Sequence, residues 1–267
     1  MGELVFVGLG LHSEKSMTLQ GVEEAKTADA VFAEFYTSLM PELDLSKLDK
    51  LTEKRVTVVS RRDLEDDCGK KILKAAEKGK AVLLVPGDPL IATTHVDLCI
   101  RAKKQGVKTR VVHGASVISA VMGLSGLHNY KFGRSVTVPF TDGNVVADTS
   151  YNVIEENKKR GLHTLCFLDL KADEKRYMTV NEGLQALLKV EQQKRKEMVT
   201  SNTMAVGIAQ AGSHSPVVKA DKVKALLKYD FGPPPHTIVF PGKLHFMEAE
   251  ALIVLAGAPD SIRELVE

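Results

Sequence analysis

Apolar positions in the first half of the chain come in short continuous runs separated by amphipathic stretches. Leu4 to Gly8 is one such run, a loop and a helix-like segment near Leu19 to Ala28 follow, and a second run covers Ala30 to Phe35. Three later junctions repeat one design, in which a polar segment ends on basic residues and glycine and an apolar run begins at once. Glu77-Lys78-Gly79 leads into Ala81 to Val85, Lys103-Lys104-Gln105-Gly106 into Val107 to Val112, and Lys158-Lys159-Arg160-Gly161 into Thr164 to Leu168. Cations complement the negative end of a helix and glycine supplies the left-handed residue after it, so each junction predicts a helix stop. The Val- and Leu-rich runs that follow read as buried parallel strands. Ile72, Leu73 and Ala76, and again Val96, Cys99 and Ile100, fall at helical spacing, as crossover helices laid on a sheet require. The pattern predicts an α/β fold.

The text becomes turn-like near Ser125 to Ser135, with Gly126, Asn129 and Gly133, and a new series opens at Val136 to Val138. This predicts two α/β domains, residues 1–130 and residues 131–267. The second half is less regular. Leu165 to Leu168, Met204 to Ile208 and Thr237 to Phe240 read as strands joined in part by short Gly and Pro loops, which predicts antiparallel pairs. Lys189 to Lys196 reads as a charged helix face.

Composition narrows the function classes. A chain of 267 residues with 44% hydrophobic and 26% charged positions can bury a core, which excludes disorder as its main state. Lys plus Arg number 36 against 34 Asp plus Glu, and a formal charge of +2 lacks the footprint of a dedicated nucleic-acid binder. Cys68, Cys99 and Cys166 are odd in number and far apart, so they read as reduced, mostly buried thiols rather than a disulfide framework or a zinc site. Leu4 to Leu11 lacks the basic lead of a secretion signal, and no run approaches the roughly 18 apolar residues of a membrane span. The expected location is the cytoplasm, without a membrane or nucleic-acid partner.

Two loops follow predicted strands, where open α/β sheets bind ligands. Val7-Gly8-Leu9-Gly10-Leu11-His12-Ser13 carries a G-x-G, which suits close backbone approach or simply a tight strand exit. Val85-Pro86-Gly87-Asp88-Pro89 continues through Ile91-Ala92-Thr93-Thr94-His95; its prolines stiffen it and Asp88 can accept hydrogen bonds from an amine or hydroxyl, or start a turn. Ser116, after Gly114-Ala115, is either a helix N-cap or a ligand contact. Pro233-Pro234-Pro235 holds His236 at a strand entrance. His12, His95, His113 and His236 are each open to a structural or a functional role, and no metal spacing joins them.

Several segments together resemble the diphthine synthase family, of the archaeal type by length. They are Phe6-Val7-Gly8-Leu9-Gly10-Leu11, Val31-Phe32-Ala33-Glu34-Phe35-Tyr36-Thr37-Ser38, Pro86-Gly87-Asp88-Pro89 with Ala92-Thr93-Thr94-His95, Tyr130-Lys131-Phe132-Gly133 and Pro241-Gly242-Lys243-Leu244-His245. The Gly-Asp-Pro loop marks the wider tetrapyrrole methylase fold, whereas the Ala-Glu-Phe-Tyr-Thr-Ser and Pro-Gly-Lys-Leu-His segments single out this branch. The resemblance implies two α/β domains with S-adenosylmethionine in the cleft between them, usually in a homodimer. It implies cofactor contacts at Leu11, Asp88, Ile91, Ser116, Val117, Leu168, Ala211 and His236, through backbone more than side chain at Ile91. The implied reaction is N-methylation of the 2-(3-amino-3-carboxypropyl)histidine of translation elongation factor 2, giving diphthine.

A sulfonium methyl is already activated, so alignment of the acceptor supplies much of the rate, and no general base stands out in the sequence. Three rivals remain at this level. A nicotinamide dehydrogenase would use Gly8-x-Gly10 and Glu34, although Ser13 replaces the third glycine. A dimeric module docking on a translation factor would need no cofactor, and a corrinoid or sirohaem methylase would share the fold.

Overall fold

In a computed structural model of the chain, which describes residues 2–140 and 148–267, the apolar runs of the first half become parallel strands. The chain separates into two units, Met1–Val117 with Ala172–Glu174, and Ile118–Lys171 with Lys175–Glu267. The first holds β1 (Glu3–Gly8), α1 (Leu19–Lys26), β2 (Ala30–Ala33), α2 (Leu45–Thr52), β3 (Val56–Val58), α3 (Arg61–Leu64), α4 (Lys70–Lys78), β4 (Lys80–Val85), α5 (Val96–Lys104) and β5 (Lys108–Val112). Among the described residues these strands form one parallel sheet in the order β3-β2-β4-β1-β5.

The continuous apolar runs follow from burial on both faces. Along β1 and β4, Leu4, Phe6, Leu83 and Val85 point into one core with Ile72, Leu73 and Ala76 of α4. Val5, Val7, Val82 and Leu84 point into the other, with Ala25 of α1 and Leu48 of α2. The sheet-facing side of α5 differs from the predicted one: Leu98 and Ala102 are buried, while Val96 and Ile100 are 54% and 47% exposed. Polar Asp97 and Arg101 pair with each other on the outside, which leaves the Leu98 side to pack. β2 ends at Ala33, two residues short of the expected end, because the Glu34 side chain accepts the backbone N–H groups of Tyr36 and Thr37 and turns the chain.

The helix stops are realised with one difference. Gly106 and Gly161 adopt φ of 76° and 72°, as expected after a helix. Gly79 is extended, at φ −172°, and a Cβ there would lie 2.2 Å from Asp29 Oδ2. Glycine serves at that position because Asp29 reaches past it to accept the Lys80 N–H at 2.7 Å.

The second unit continues α6 (Val117–Ser125) into β6 (Val136–Val138), α7 (Thr149–Lys159), β7 (Thr164–Leu168), a hairpin of β8 (Leu170–Lys171) and β9 (Arg176–Tyr177), and α8 (Val180–Lys194). β10 (Met204–Ala209), β11 (Val217–Lys222), α9 (Val223–Leu226), β12 (His236–Phe240) and α10 (Phe246–Ala256) complete it. The sheet order is β11-β10-β12-β7-β6. β12 is antiparallel to both β10 and β7, so the third junction strand is parallel only to β6. Tyr151, Ile154, Leu184, Leu187 and Ile238 form the core under this sheet. The charged stretch near Lys194 belongs to α8 and its exit, where Lys194 pairs with Asp148 and Lys196 with Glu155. Of the cysteines only Cys166 is buried, where burial pushes its thiol up; Cys68 and Cys99 are half-exposed, which corrects the expectation that most are buried.

Candidate functional site

Three loops leave the carboxyl edge of the first sheet side by side, after β1, β4 and β5, because those strands are neighbours in the order β4-β1-β5. They touch through backbone. Leu9 N–H donates to Val85 O at 2.7 Å, and Gly10 and Gly87 exchange hydrogen bonds of 3.2 and 2.7 Å. A Cβ at Gly8 would lie 2.5 Å from both Gly114 N and Gly87 O. The glycines of the G-x-G therefore serve loop-against-loop packing, and a 3-10 turn at Glu14–Ser16 intervenes before α1, so no helix N-terminus follows the loop at pyrophosphate distance.

At Gly87 the packing opens. Its φ is 70°, and a Cβ there would meet only Ala115 O, at 4.0 Å. This leaves room on the Cβ side of Gly87, at the sheet edge next to Asp88. Asp88 is 5% exposed; its Oδ1 accepts Leu90 N–H at 3.1 Å and its Oδ2 lies 2.7 Å from Nδ1 of His113, whose ring is exposed. The turn reading of Asp88 is thus realised, and its second carboxylate oxygen is paired with an exposed histidine ring. Leu11, Asp88, Ile91, Ser116 and Val117 all lie in these three loops or at their exits, with Ile91 45% exposed.

In the second unit, Leu168 ends β7, and His236 begins β12 opposite Ala209 of β10. Ala211 follows Gln210, whose N–H donates to Pro235 O at 2.8 Å. The antiparallel order thus brings Leu168, Ala211 and His236 to one sheet edge. His236 is built in: Nδ1 accepts the Val180 N–H that opens α8, at 3.2 Å, and Nε2 lies 3.1 Å from Gly232 O, so Nε2 carries the proton. Burial keeps this ring below the usual histidine range. Any ligand contact at His236 falls to its backbone or ring face.

The other histidines also resolve. His12 lies 3.4 Å from Glu42, and His95, 2% exposed, lies 3.2 Å from Glu34. Glu34 is fully buried and spent on these partners, which removes the ribose-binding acid that a dehydrogenase would need.

Sequence reasoning missed one dense polar cluster. Glu248, fully buried, accepts His128 N–H at 2.7 Å, His245 N–H at 2.8 Å and His163 Nε2–H at 3.0 Å, with Lys131 Nζ at 3.2 Å. His163 Nδ1 in turn accepts Gly242 N–H at 2.9 Å. Burial opposes the Glu248 charge, yet the two N–H groups and the His163 ring hold its carboxyl down to about 2. Burial lowers His163 against the pull of Glu248, which keeps the ring neutral. The segments around Tyr130-Lys131 and Pro241-Gly242 thus meet on one carboxylate. Only the His245-x-x-Glu248 capping spacing could have signalled it.

Residues 3–224 match the family model of the Tetrapyrrole (Corrin/Porphyrin) Methylases. The diphthine synthase of Methanococcoides burtonii is 49% identical over 269 residues, covering 99% of this chain and 100% of that one. That of Methanocaldococcus jannaschii is 45% identical over 251 residues, covering 93% and 97%. A crystal structure of diphthine synthase matches with a TM-score of 0.89 at 42% identity, over 98% of this chain and 99% of that one. The chain belongs to the tetrapyrrole methylase family and, within it, to the diphthine synthases: it is a methyltransferase of diphthamide biosynthesis.

Proposed function

We propose that the enzyme takes its methyl group from S-adenosylmethionine and transfers it to the amino group of a 2-(3-amino-3-carboxypropyl)histidine on translation elongation factor 2, in the cytoplasm, giving diphthine. The observation that carries the donor site is the opening at Gly87 beside Asp88, where three strand-exit loops pack backbone to backbone. Backbone N–H and C=O groups with one buried acid suit a ligand that carries an adenosine and an amino acid moiety. Leu11, Asp88, Ile91, Ser116 and Val117 would hold it at the first unit's strand exits, and Leu168, Ala211 and His236 are the contacts proposed from the second unit's own sheet edge. The donor supplies an activated methyl; these residues bind and orient it, and alignment with a neutral amine does the rest.

Calorimetric titration with S-adenosylhomocysteine and with NAD tests the donor. Saturable binding of the first at one per subunit, and none of the second, is expected; NAD binding without a response to S-adenosylhomocysteine would refute the reading. Asp88→Ala is expected to weaken S-adenosylhomocysteine binding by about 1–3 kcal/mol, the range for a hydrogen bond to a charged group. Asp88→Asn keeps an acceptor for Leu90 N–H, so an equal loss there assigns the effect to the ligand rather than the turn. Unchanged affinity in both folded variants would leave Asp88 a turn residue.

The active form is a homodimer in this reading, joined through α10. That helix is apolar nearly all round, and Met247, Val254 and Leu255 lie exposed along one stripe at 53%, 69% and 59%. A second copy offers the same stripe, as an isologous contact requires. Val254→Glu is expected to convert dimer to monomer in light scattering; a variant with the wild-type mass would place the contact elsewhere.

A further inference from the structure

The segment Ala33-Glu34-Phe35-Tyr36-Thr37-Ser38 takes no part in the donor site, yet it leaves β2 on the same sheet edge as Asp88. Its construction is elaborate. Glu34 accepts Tyr36 N–H at 2.9 Å, Thr37 N–H at 3.1 Å, the Thr37 hydroxyl, and His95 Nε2–H at 3.2 Å. These bonds fix the backbone at Tyr36, and the His95 ring stands edge-on to the Tyr36 ring at 6.3 Å. Tyr36 is thus held in place by neighbours that are themselves locked.

What this support presents is a hydroxyl shut off from solvent beside Thr94, its nearest polar neighbour, with no well-formed hydrogen bond among the described residues. A buried O–H without an acceptor costs stability and calls for a reason. Burial and the carboxylates of Glu34 and Glu65 push its phenol above the ordinary range, so it keeps its proton and is available as a donor. Over the ring lies the Arg61 guanidinium, 5.7 Å from the centroid. Its Nε donates to Glu65 at 3.1 Å in an exposed pair one helical turn apart, and its terminal N–H fork has no acceptor among the described residues. The hydroxyl therefore belongs to a ring covered by a long, exposed side chain whose terminal N–H fork is unfilled. Together they are a donor set for a carboxylate.

We propose that Tyr36 and Arg61 form a carboxylate subsite that grips the carboxylate beside the methyl-accepting amine. This rests on the acceptor named under Proposed function. Arg61 exchanges one exposed carboxylate partner for another, which costs little. The Tyr36 hydroxyl gains the acceptor it lacks. One carbon separates the gripped carboxylate from the amine, so the grip sets the direction of the amine lone pair. Pairing the carboxylate with a guanidinium also offsets the negative charge that favours the ammonium form, and so enlarges the neutral fraction that can attack. Glu34 and His95 are positioning residues in this scheme.

The test is steady-state methylation of elongation factor 2 carrying the aminocarboxypropyl group by wild type, Tyr36→Phe, Arg61→Gln and the double variant. S-adenosylhomocysteine titrations and thermal melts accompany it. Tyr36→Phe deletes an unpaired hydroxyl, so it is expected to melt at or above the wild-type temperature and to bind S-adenosylhomocysteine unchanged. Its KM for the factor is expected to rise about tenfold, the equivalent of one lost charge-assisted hydrogen bond. Arg61→Gln should act alike, and the double variant should lose less than the product of the two, because both grip one group. Unchanged KM in both single variants, or a KM rise matched by lost S-adenosylhomocysteine affinity, would overturn the subsite while the acceptor stands. If wild type fails to label the factor, the acceptor reading falls and takes the subsite with it.

Discussion

Replacing Glu248 by Ala is expected to lower the unfolding free energy by about 3–5 kcal/mol near neutral pH, the cost of removing one partner from a buried charged network. Its loss leaves His128 N–H, His245 N–H and His163 Nε2–H without their acceptor and Lys131 without its counter-charge. The effect should depend on pH with a definite sign. The carboxyl is held at about 2 in the folded chain against an ordinary value of 4.5, so its stabilisation is fully present above about pH 4.5 and fades as pH falls toward 2. Thermal or denaturant melts of wild type and variant between pH 7 and pH 3 should therefore converge on acidification. A difference that stays constant with pH would mean that Glu248 acts by packing alone.

Gly8→Ala is expected to cost about 1–3 kcal/mol of stability as an overpacked site, and to weaken S-adenosylhomocysteine binding about tenfold or more. The new methyl would sit 2.5 Å from Gly114 N and Gly87 O and 2.6 Å from Gly114 Cα, all backbone atoms that move only by parting the three loops. Parting them disturbs the opening at Gly87. Gly123→Ala is the control: nothing lies within 4 Å of its Cβ, and an alanine in α6 should be neutral or stabilising by about 0.5–1 kcal/mol. Full affinity in a folded Gly8→Ala chain would separate the glycine contacts from the binding site.

The parallel sheet of the first unit was legible because its strands are buried on both faces, so Leu4 to Gly8 and Ala81 to Val85 stand out as unbroken apolar runs. β3 escaped notice, since Val56-Thr57-Val58 is three residues long at a sheet edge and carries a polar residue at its centre. The α5 face was misread because spacing alone does not say which of two apolar stripes meets the sheet. The strand-exit loops that carry the proposed cofactor contacts could be located from local motifs, Gly-Asp-Pro above all. What joins distant segments could not be seen. Glu34 meets His95 across 61 residues and His163 meets Glu248 across 85, and no local pattern ties either pair. The glycines of the first loop read as close backbone approach or a tight strand exit, and their partners, Gly87 and Gly114, come from the two neighbouring strand exits.

The acceptor is tested most directly by incubating the enzyme with S-adenosylmethionine labelled in the methyl group and elongation factor 2 prepared with or without the aminocarboxypropyl group on its histidine. Label is predicted on the modified factor alone, with the unmodified factor and free histidine as poor substrates. Equal labelling of both forms, or label on a tetrapyrrole and on neither protein, would contradict it.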